Sequence, residues 1–200
     1  MSSTEETLQV IKCKMVGPKG VGKTSLFQTY MTKKFPTPYD LMFLHHRSSP
    51  PLKSATIKGI SWTVELYDTI DNYKNNRIIE LKNAHVLLVC FSVVLPSSIE
   101  NIKAEWIPQI TYHCPETPYI LVGTQIDLRE DKRTIEKLAE NNQKPITYKE
   151  GTKLAADLKA VKYLECSAKA QKGLQELMEK AVQIVQAAHS GEKKHGCFPC

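Results

Sequence analysis

Residues 17–25, GPKGVGKTS, have the types and spacing of a loop that binds phosphate. They match G-x-x-x-x-G-K-[ST], a pattern in which successive backbone N–H groups and the start of a helix hold the phosphate oxygens. In such a loop Lys23 reaches the β- and γ-phosphates of a nucleotide, and Thr24 offers its hydroxyl to Mg²⁺. The sequence therefore predicts that these residues contact nucleotide: Gly17, Lys19, Gly20, Val21, Gly22, Lys23, Thr24 and Ser25.

A second set of candidate residues follows two later strand-like runs. Gln125 and Asp127 lie in VGTQID, and Ser167, Ala168 and Lys169 lie in CSAK. A carboxylate at Asp127 can accept two hydrogen bonds from guanine, whereas adenine offers no matching pair of donors. Both loops should leave the same carboxyl edge of a sheet, which is where doubly wound proteins bind ligands. The sequence thus predicts a site for GTP or GDP with Mg²⁺.

Positioning these loops requires a sheet of short buried strands. Apolar or alternating runs of strand length occur at residues 8–16, 60–67, 86–95, 119–122 and 161–166, and helical patterns fall between or after them. That arrangement predicts an α/β fold, with a doubly wound, mostly parallel six-stranded sheet and helices on both faces. Two capping-box patterns, Ser97 with Glu100 and Thr147 with Glu150, predict the starts of two helices.

The rest of the chain is organised around this domain, which we expect to span residues 1–189. Residues 35–54 contain four prolines and no clean period, which predicts a long loop. Residues 129–144 are highly charged and should form a surface helix or excursion. Residues 190–200 lose all apolar periodicity and are expected to form a flexible tail.

Composition narrows the class of protein. No apolar run approaches the roughly 18 residues of a membrane span, and the polar start MSSTEET does not resemble a secretory signal, so we expect a cytoplasmic protein. Four of the six cysteines lie in apolar surroundings that suit reduced thiols. Cys197 and Cys200 have no second ligand pair that would indicate zinc. The net charge of +6 comes from lysines spread along the chain, so no nucleic-acid partner is predicted.

Short motifs along most of the chain carry a family likeness. They include the phosphate-binding loop, KFPTPY, LYDT, LLVCFSVVLPSSIENI, WIPQITYHCP, LVGTQIDLR, TIEKLA, QKPIT and LKAVKYLECSA. Together they resemble the Rho family of small GTPases, nearest to its cell-division-control branch, which acts in polarity and actin organisation. Residues 129–144 resemble that family's insert. The resemblance implies that Phe35 stacks on guanine, that Gln125 and Asp127 read it, and that Ala168 and Lys169 close over it.

The first of the two loops that sense the γ-phosphate in that family departs from its pattern. Met42 stands at the position of the family's Mg²⁺-binding threonine, and a thioether is a poor ligand for a hard cation. The segment from there to Asp68 is also longer than in the family. Thr37, Ser48 or Ser49 could supply the missing hydroxyl.

The second loop departs as well. Asp68 is kept and can support Mg²⁺ through water, but the next residues read Thr69-Ile70-Asp71-Asn72. The family's glycine, which follows the γ-phosphate, and its glutamine, which positions the attacking water, are absent. Asn72 could orient a water with its shorter amide.

Lys19 falls where the family has a glycine that leaves room for an arginine finger. Its side chain would crowd both the finger and the transferring phosphate. In one alternative, the Lys19 charge stabilises bound triphosphate in the ground state as much as in the transition state. In the other, the side chain extends into solvent and only its steric effect remains. Because an arginine finger accelerates hydrolysis on the order of 10³–10⁵-fold, its exclusion predicts slow turnover.

The C-terminal residues Cys197-Phe198-Pro199-Cys200 have C-a-a-X spacing, which predicts prenylation at Cys197. The resemblance then implies a peripheral protein on the cytosolic face of the plasma membrane or endosomes, acting in polarity, actin organisation or membrane traffic. It also implies effectors such as kinases or scaffolds, together with exchange factors and dissociation inhibitors.

Three functions remain open from the sequence. The chain is a GTP-loaded signalling switch with weak hydrolysis, an active GTPase whose site has been rebuilt, or an interaction module in which nucleotide is structural or absent. Hydrolysis separates the first two, and bound nucleotide separates both from the third. The missing parts of the phosphoryl-transfer machinery favour the first.

Overall fold

A six-stranded sheet forms the centre of the protein in the computed structural model, which describes residues 9–43, 52–57, 60–68 and 81–189. Its strands lie in the order β2-β3-β1-β4-β5-β6, and β2 runs antiparallel to β3 whereas the other pairs are parallel. The predicted six-stranded, mostly parallel sheet is therefore confirmed. The strands are β1 (Gln9–Val16), β2 (Leu52–Ile57), β3 (Ile60–Asp68), β4 (Val86–Ser92), β5 (Tyr119–Thr124) and β6 (Lys162–Glu165).

Helices cover both faces of the sheet, as the doubly wound prediction requires. They are α1 (Lys23–Thr32), α2 (Pro38–Phe43), α3 (Ser97–Asn101), a π-helix (Ile102–Trp106), α4 (Ile107–His113), a 3-10 helix (Ile126–Leu128), α5 (Lys132–Ala139), α6 (Tyr148–Asp157) and α7 (Leu174–His189). Within the ranges given above, none of these helices has both the length and the apolar character needed to cross a bilayer.

Strand β4 shows how the two faces are built. All seven of its residues are buried, and alternate residues enter opposite apolar layers. Val86, Leu88 and Cys90 pack with α1 and α7, whereas Leu87 and Val89 pack with the π-helix, α4 and α6. A strand covered on both sides is apolar on both faces, which is why its first six residues, VLLVCF, show no alternation.

The thiols inside these layers match the prediction of reduced cysteines. Cys13, Cys90, Cys114 and Cys166 are buried thiols that form no disulfide. Burial raises the pKa of the Cys13 thiol above its ordinary value, and it does the same for Cys166. These groups are therefore neutral packing residues at physiological pH.

The predicted long loop at residues 35–54 is wrong for the part that the structure describes. Pro38 begins α2, and Leu52 begins β2. Proline suits the first turn of a helix because its missing N–H would have no partner there. The Asp40 carboxylate also accepts hydrogen bonds from the backbone N–H and the hydroxyl of Thr37, both at 2.8 Å. The prolines therefore mark a helix start.

One of the two predicted capping boxes forms. Thr147 and Glu150 exchange side-chain to backbone hydrogen bonds of 2.8 and 3.2 Å at the start of α6. The box at Ser97 does not form, because the helix already begins at Ser97 and its cap position is Pro96. Turn hydrogen bonds from Ser98 to Leu95 and from Ile99 to Pro96 satisfy the backbone N–H groups that a cap would have used.

The charged stretch 129–144 contains a surface helix, α5, whose Asp131 cap accepts a hydrogen bond of 2.9 Å from the Thr134 backbone N–H. Leu138 is its one buried residue, at 8 % exposure, whereas Ile135 on the same helix is 41 % exposed.

Candidate functional site

The loop between β1 and α1 has a backbone shape that glycine permits. Gly17, Gly20 and Gly22 have φ of 136°, 84° and 91°, values that other residues rarely adopt. At Gly17 a Cβ would also lie 2.2 Å from the Cys90 carbonyl oxygen of β4. The chain can therefore turn sharply here and still pass close to the neighbouring strand.

Lys23 folds back across this loop from the first residue of α1. Its Nζ donates to the carbonyl oxygens of Gly17 at 2.6 Å and Pro18 at 2.9 Å, and the residue is only 7 % exposed. These bonds hold the loop as a closed arch with a cation at its centre. An arch of backbone N–H groups around a buried ammonium is suited to an anion such as phosphate.

The loop is tied to the sheet by polar side chains at the ends of two buried strands. The Thr124 hydroxyl lies 2.5 Å from the Val21 carbonyl oxygen and 2.8 Å from that of Phe91. The Gln125 Nε2 donates to the Gly20 carbonyl oxygen at 3.2 Å, and its Oε1 accepts from the Ser92 hydroxyl at 2.6 Å. Gln125 therefore uses its amide to fix the loop.

Thr124 and Ser92 are functional residues that the sequence reasoning missed. The available signal was a polar residue at the end of an otherwise apolar strand, in YILVGT and VLLVCFS. Both side chains are almost completely buried, at 3 % and 0 % exposure. A buried hydroxyl needs a hydrogen-bond partner. Here Thr124 donates to Val21 of the loop, and Ser92 donates to Gln125, which in turn bonds to the loop.

A cavity of about 260 Å³ opens beside the loop at the carboxyl edge of the sheet. It brings together predicted site residues from four separate segments of the chain. Phe35, which is 46 % exposed, lines it together with residues of α1 and of the loops after β5 and β6. The lining residues from the prediction are Gly22, Val21, Ser25, Phe35, Gln125, Asp127, Ala168 and Lys169.

Asp127 presents a carboxylate to this cavity in a fixed orientation. The hydroxyl of Ser167, which is completely buried, donates to Asp127 Oδ1 at 2.5 Å and accepts from the Ala170 N–H at 2.9 Å. Asp127 Oδ2 has no hydrogen-bond partner among the residues described. This oxygen can accept hydrogen bonds from a planar base with two neighbouring N–H donors, and guanine has such a pair in its ring N–H and 2-amino group.

The model of the Ras family matches residues 12–187 of the chain. The chain belongs to the Ras family. It is therefore a small GTPase, a GTP-binding switch of the class that binds GTP and GDP, generally with Mg²⁺. The end of the phosphate loop at Gly22 and the Asp127 side chain both line the cavity at the carboxyl edge of its sheet.

The residues present suit a Ras-family nucleotide and cation. The Lys23 arch fits a phosphate chain, and Phe35 supplies an aromatic ring to the lining of the adjoining cavity. Thr24, half-buried in the first turn of α1, supplies a hydroxyl oxygen, the ligand type that Mg²⁺ prefers. The backbone of Asp68 pairs with Met15 at the end of β3, beside the strand that enters the loop.

Several other predicted residues of this Ras-family site do not line the cavity or lie outside the described residues. Lys19 is exposed at the top of the loop, and Met42 lies in α2. The Thr37 hydroxyl bonds to the Asp40 carboxylate. Asn72 and Cys197 lie outside the described residues, as do Ser48 and Ser49.

Proposed function

We propose that this Ras-family chain is a Rho-like signalling switch that hydrolyses GTP slowly and is therefore mostly GTP-bound. The observation that carries the proposal is a phosphate loop held by hydrogen bonds from Lys23 and Gln125 that also carries an exposed lysine, Lys19. The sequence that follows Asp68 adds support, since it lacks both the family's γ-sensing glycine and its catalytic glutamine.

Lys19 supports slow turnover through its position. It is exposed, so it projects from the surface of the loop that a partner protein would approach. A long side chain there obstructs an arginine finger and also adds positive charge near the phosphates. Charge that stabilises bound GTP as much as the transition state leaves the barrier to hydrolysis unchanged.

The Rho-like assignment is supported by sequence motifs and by the surface helix α5. The motifs TIEKLA and QKPIT occupy this helix and the segment after it, at the place of the family's insert. A Rho-like switch would act in polarity, actin organisation or membrane traffic. It would do so through effectors such as kinases or scaffolds, under the control of exchange factors and dissociation inhibitors.

The nucleotide in freshly purified protein tests this function. We expect ion-exchange chromatography to recover mainly GTP and a sample held with Mg²⁺ at physiological temperature to retain it, because the water-positioning residues are missing. The matched variant Lys19→Gly, which reopens the loop, should respond better to an activating protein. Mostly GDP with family-like stimulated turnover in the unaltered chain would contradict slow hydrolysis. No nucleotide would favour the interaction module.

Membrane attachment through Cys197 is a separate part of the proposal, and the C-a-a-X spacing supports it. We expect a prenyl precursor to label the chain in cells and Cys197→Ser to abolish the label, with a shift from the membrane to the soluble fraction. A single prenyl group gives weak anchoring, and Lys193 with Lys194 provides only a small basic patch, so partial membrane association is expected. Label persisting in Cys197→Ser would exclude this cysteine as the site.

A further inference from the structure

Arg129 joins three segments around the back of the nucleotide site. It follows the 3-10 helix Ile126–Leu128 directly, and its Nη1 and Nη2 donate to Glu165 Oε2 and Oε1 at 2.9 and 2.5 Å. Its Nε donates to the Ile146 carbonyl oxygen at 3.0 Å. The fork-shaped pair fixes both groups in one plane, which makes it more rigid than a single-contact ion pair.

Glu165 is a fixed anchor for this arginine. It ends β6, two residues before Ser167, and its Oε1 also accepts a hydrogen bond of 2.7 Å from the Tyr163 hydroxyl. Tyr163 is itself confined, because a Cβ on Gly151 would lie 2.1 Å from its ring and one on Gly123 would lie 2.4 Å from its hydroxyl. The arginine is therefore attached to a side chain that cannot easily move.

Asp127 lies between two cavities. One is the base cavity of about 260 Å³, and the other has about 510 Å³ and is also lined by Arg129, Glu165 and Ser167. The open space on this second side means that little packing prevents the Asp127 loop from moving away from the base. The Ser167 hydroxyl and the Arg129–Glu165 pair supply that restraint through hydrogen bonds.

We infer that Arg129 is a positioning residue for guanine recognition, which keeps the loops carrying Asp127 and Ser167 at a fixed separation. Arg129 does not line the base cavity, so it acts through Asp127 without touching the base. Its loss should speed nucleotide release and weaken the distinction between bases. This role goes beyond slow hydrolysis, because it concerns nucleotide retention and not the transfer of the γ-phosphate.

Dissociation of GDP and IDP from the full chain tests the inference. Hypoxanthine lacks the 2-amino group of guanine, so the ratio of the two off-rates reports how well the Asp127 carboxylate engages that group. At fixed free Mg²⁺ we expect Arg129→Gln to release GDP about 10-fold faster, since a hydrogen bond to a charged group is worth roughly one to two tenfold steps in an equilibrium. The IDP off-rate should increase less, so the ratio of the IDP off-rate to the GDP off-rate should fall.

Two further variants complete the design. Glu165→Gln removes the charge but keeps the side-chain size and an acceptor for Tyr163, so it should shift both readouts in the same direction as Arg129→Gln. Lys144→Gln, which removes the exposed 3.3 Å pair with Glu150, should leave both at the level of the unaltered chain.

The inference would be overturned if Arg129→Gln or Glu165→Gln lowered the unfolding temperature but left the ratio of the two off-rates unaltered. The Arg129–Glu165 pair would then have only a structural role. If Arg129→Gln fails to fold, Glu165→Gln decides the question by the same two rates. The outcome is independent of whether the chain hydrolyses GTP slowly, because GDP and IDP have no γ-phosphate.

Discussion

Replacing Lys23 by methionine is expected to weaken GDP binding on the order of 10²–10³-fold. The side chain is buried and its Nζ closes the phosphate loop on the Gly17 and Pro18 carbonyl oxygens, so the substitution removes both the charge and the arch. Removing one partner of a buried, hydrogen-bonded charge pair costs about 2–5 kcal/mol, and about 1.4 kcal/mol corresponds to tenfold in affinity. Titration calorimetry with GDP and Mg²⁺ measures the change directly.

Lys19→Met provides the matched comparison within the same loop. It removes the same charge with the same substitution, but the Lys19 side chain is exposed, so water screens its attraction to phosphate. We expect its GDP affinity to change by less than about fivefold, in keeping with the small energies of exposed charges. Thermal unfolding gives a second readout, because ligand stabilises only a protein that binds it. A Lys23→Met protein that GDP still stabilises fully would contradict the role assigned to Lys23.

The sequence predicted the parts of the fold that depend on local pattern. Apolar or alternating runs of strand length predicted every strand except β2. A strand covered on both faces is apolar on both, as β4 is up to its last residue, Ser92. The phosphate loop was predictable for a similar reason, since its glycines and Lys23 are neighbours in sequence and supply their own geometry. The match to the Ras family agrees with the predicted fold.

The parts of the site that were not predicted depend on contacts between residues far apart in the sequence. Gln125 reads from sequence as a residue that contacts the base, yet its amide bonds to Ser92 and Gly20, which are 33 and 105 positions away. The Arg129–Glu165 pair spans 36 positions. Nothing in the local pattern specifies such pairs, because they exist only once the strands have assembled at a common edge.

Helix α2 escaped prediction for a different reason. Two prolines within three residues read as loop signals, but Pro38 occupies the helical position where proline is favoured. The deciding feature was the carboxylate of Asp40 three residues after Thr37, which accepts hydrogen bonds from that residue's backbone and side chain. Here side-chain capping outweighed the general preference of proline for irregular structure.

Substituting Asp127 by asparagine is expected to reverse the base preference of the site from guanine to xanthine. The Ser167 hydroxyl donates to Asp127 Oδ1, so an asparagine should place its carbonyl oxygen on Ser167 and its amino group where Oδ2 now lies. That amino group would oppose the 2-amino group of guanine, whereas xanthine has an accepting oxygen there. Losing two hydrogen bonds to a charged group predicts GDP binding weaker on the order of 10²–10⁴-fold.

Competition between GDP and xanthosine diphosphate measures this reversal. The orienting role of Ser167 can be isolated with the double variant Ser167→Ala, Asp127→Asn, in which the amide is no longer held by the hydroxyl. Its preference for xanthine should be smaller than that of the single variant, because a freely turning amide can present either its oxygen or its amino group to the base. Retention of guanine preference by Asp127→Asn would mean that the base is read elsewhere in the cavity. An equal preference in the single and double variants would show that the 2.5 Å bond from Ser167 does not set the orientation of residue 127.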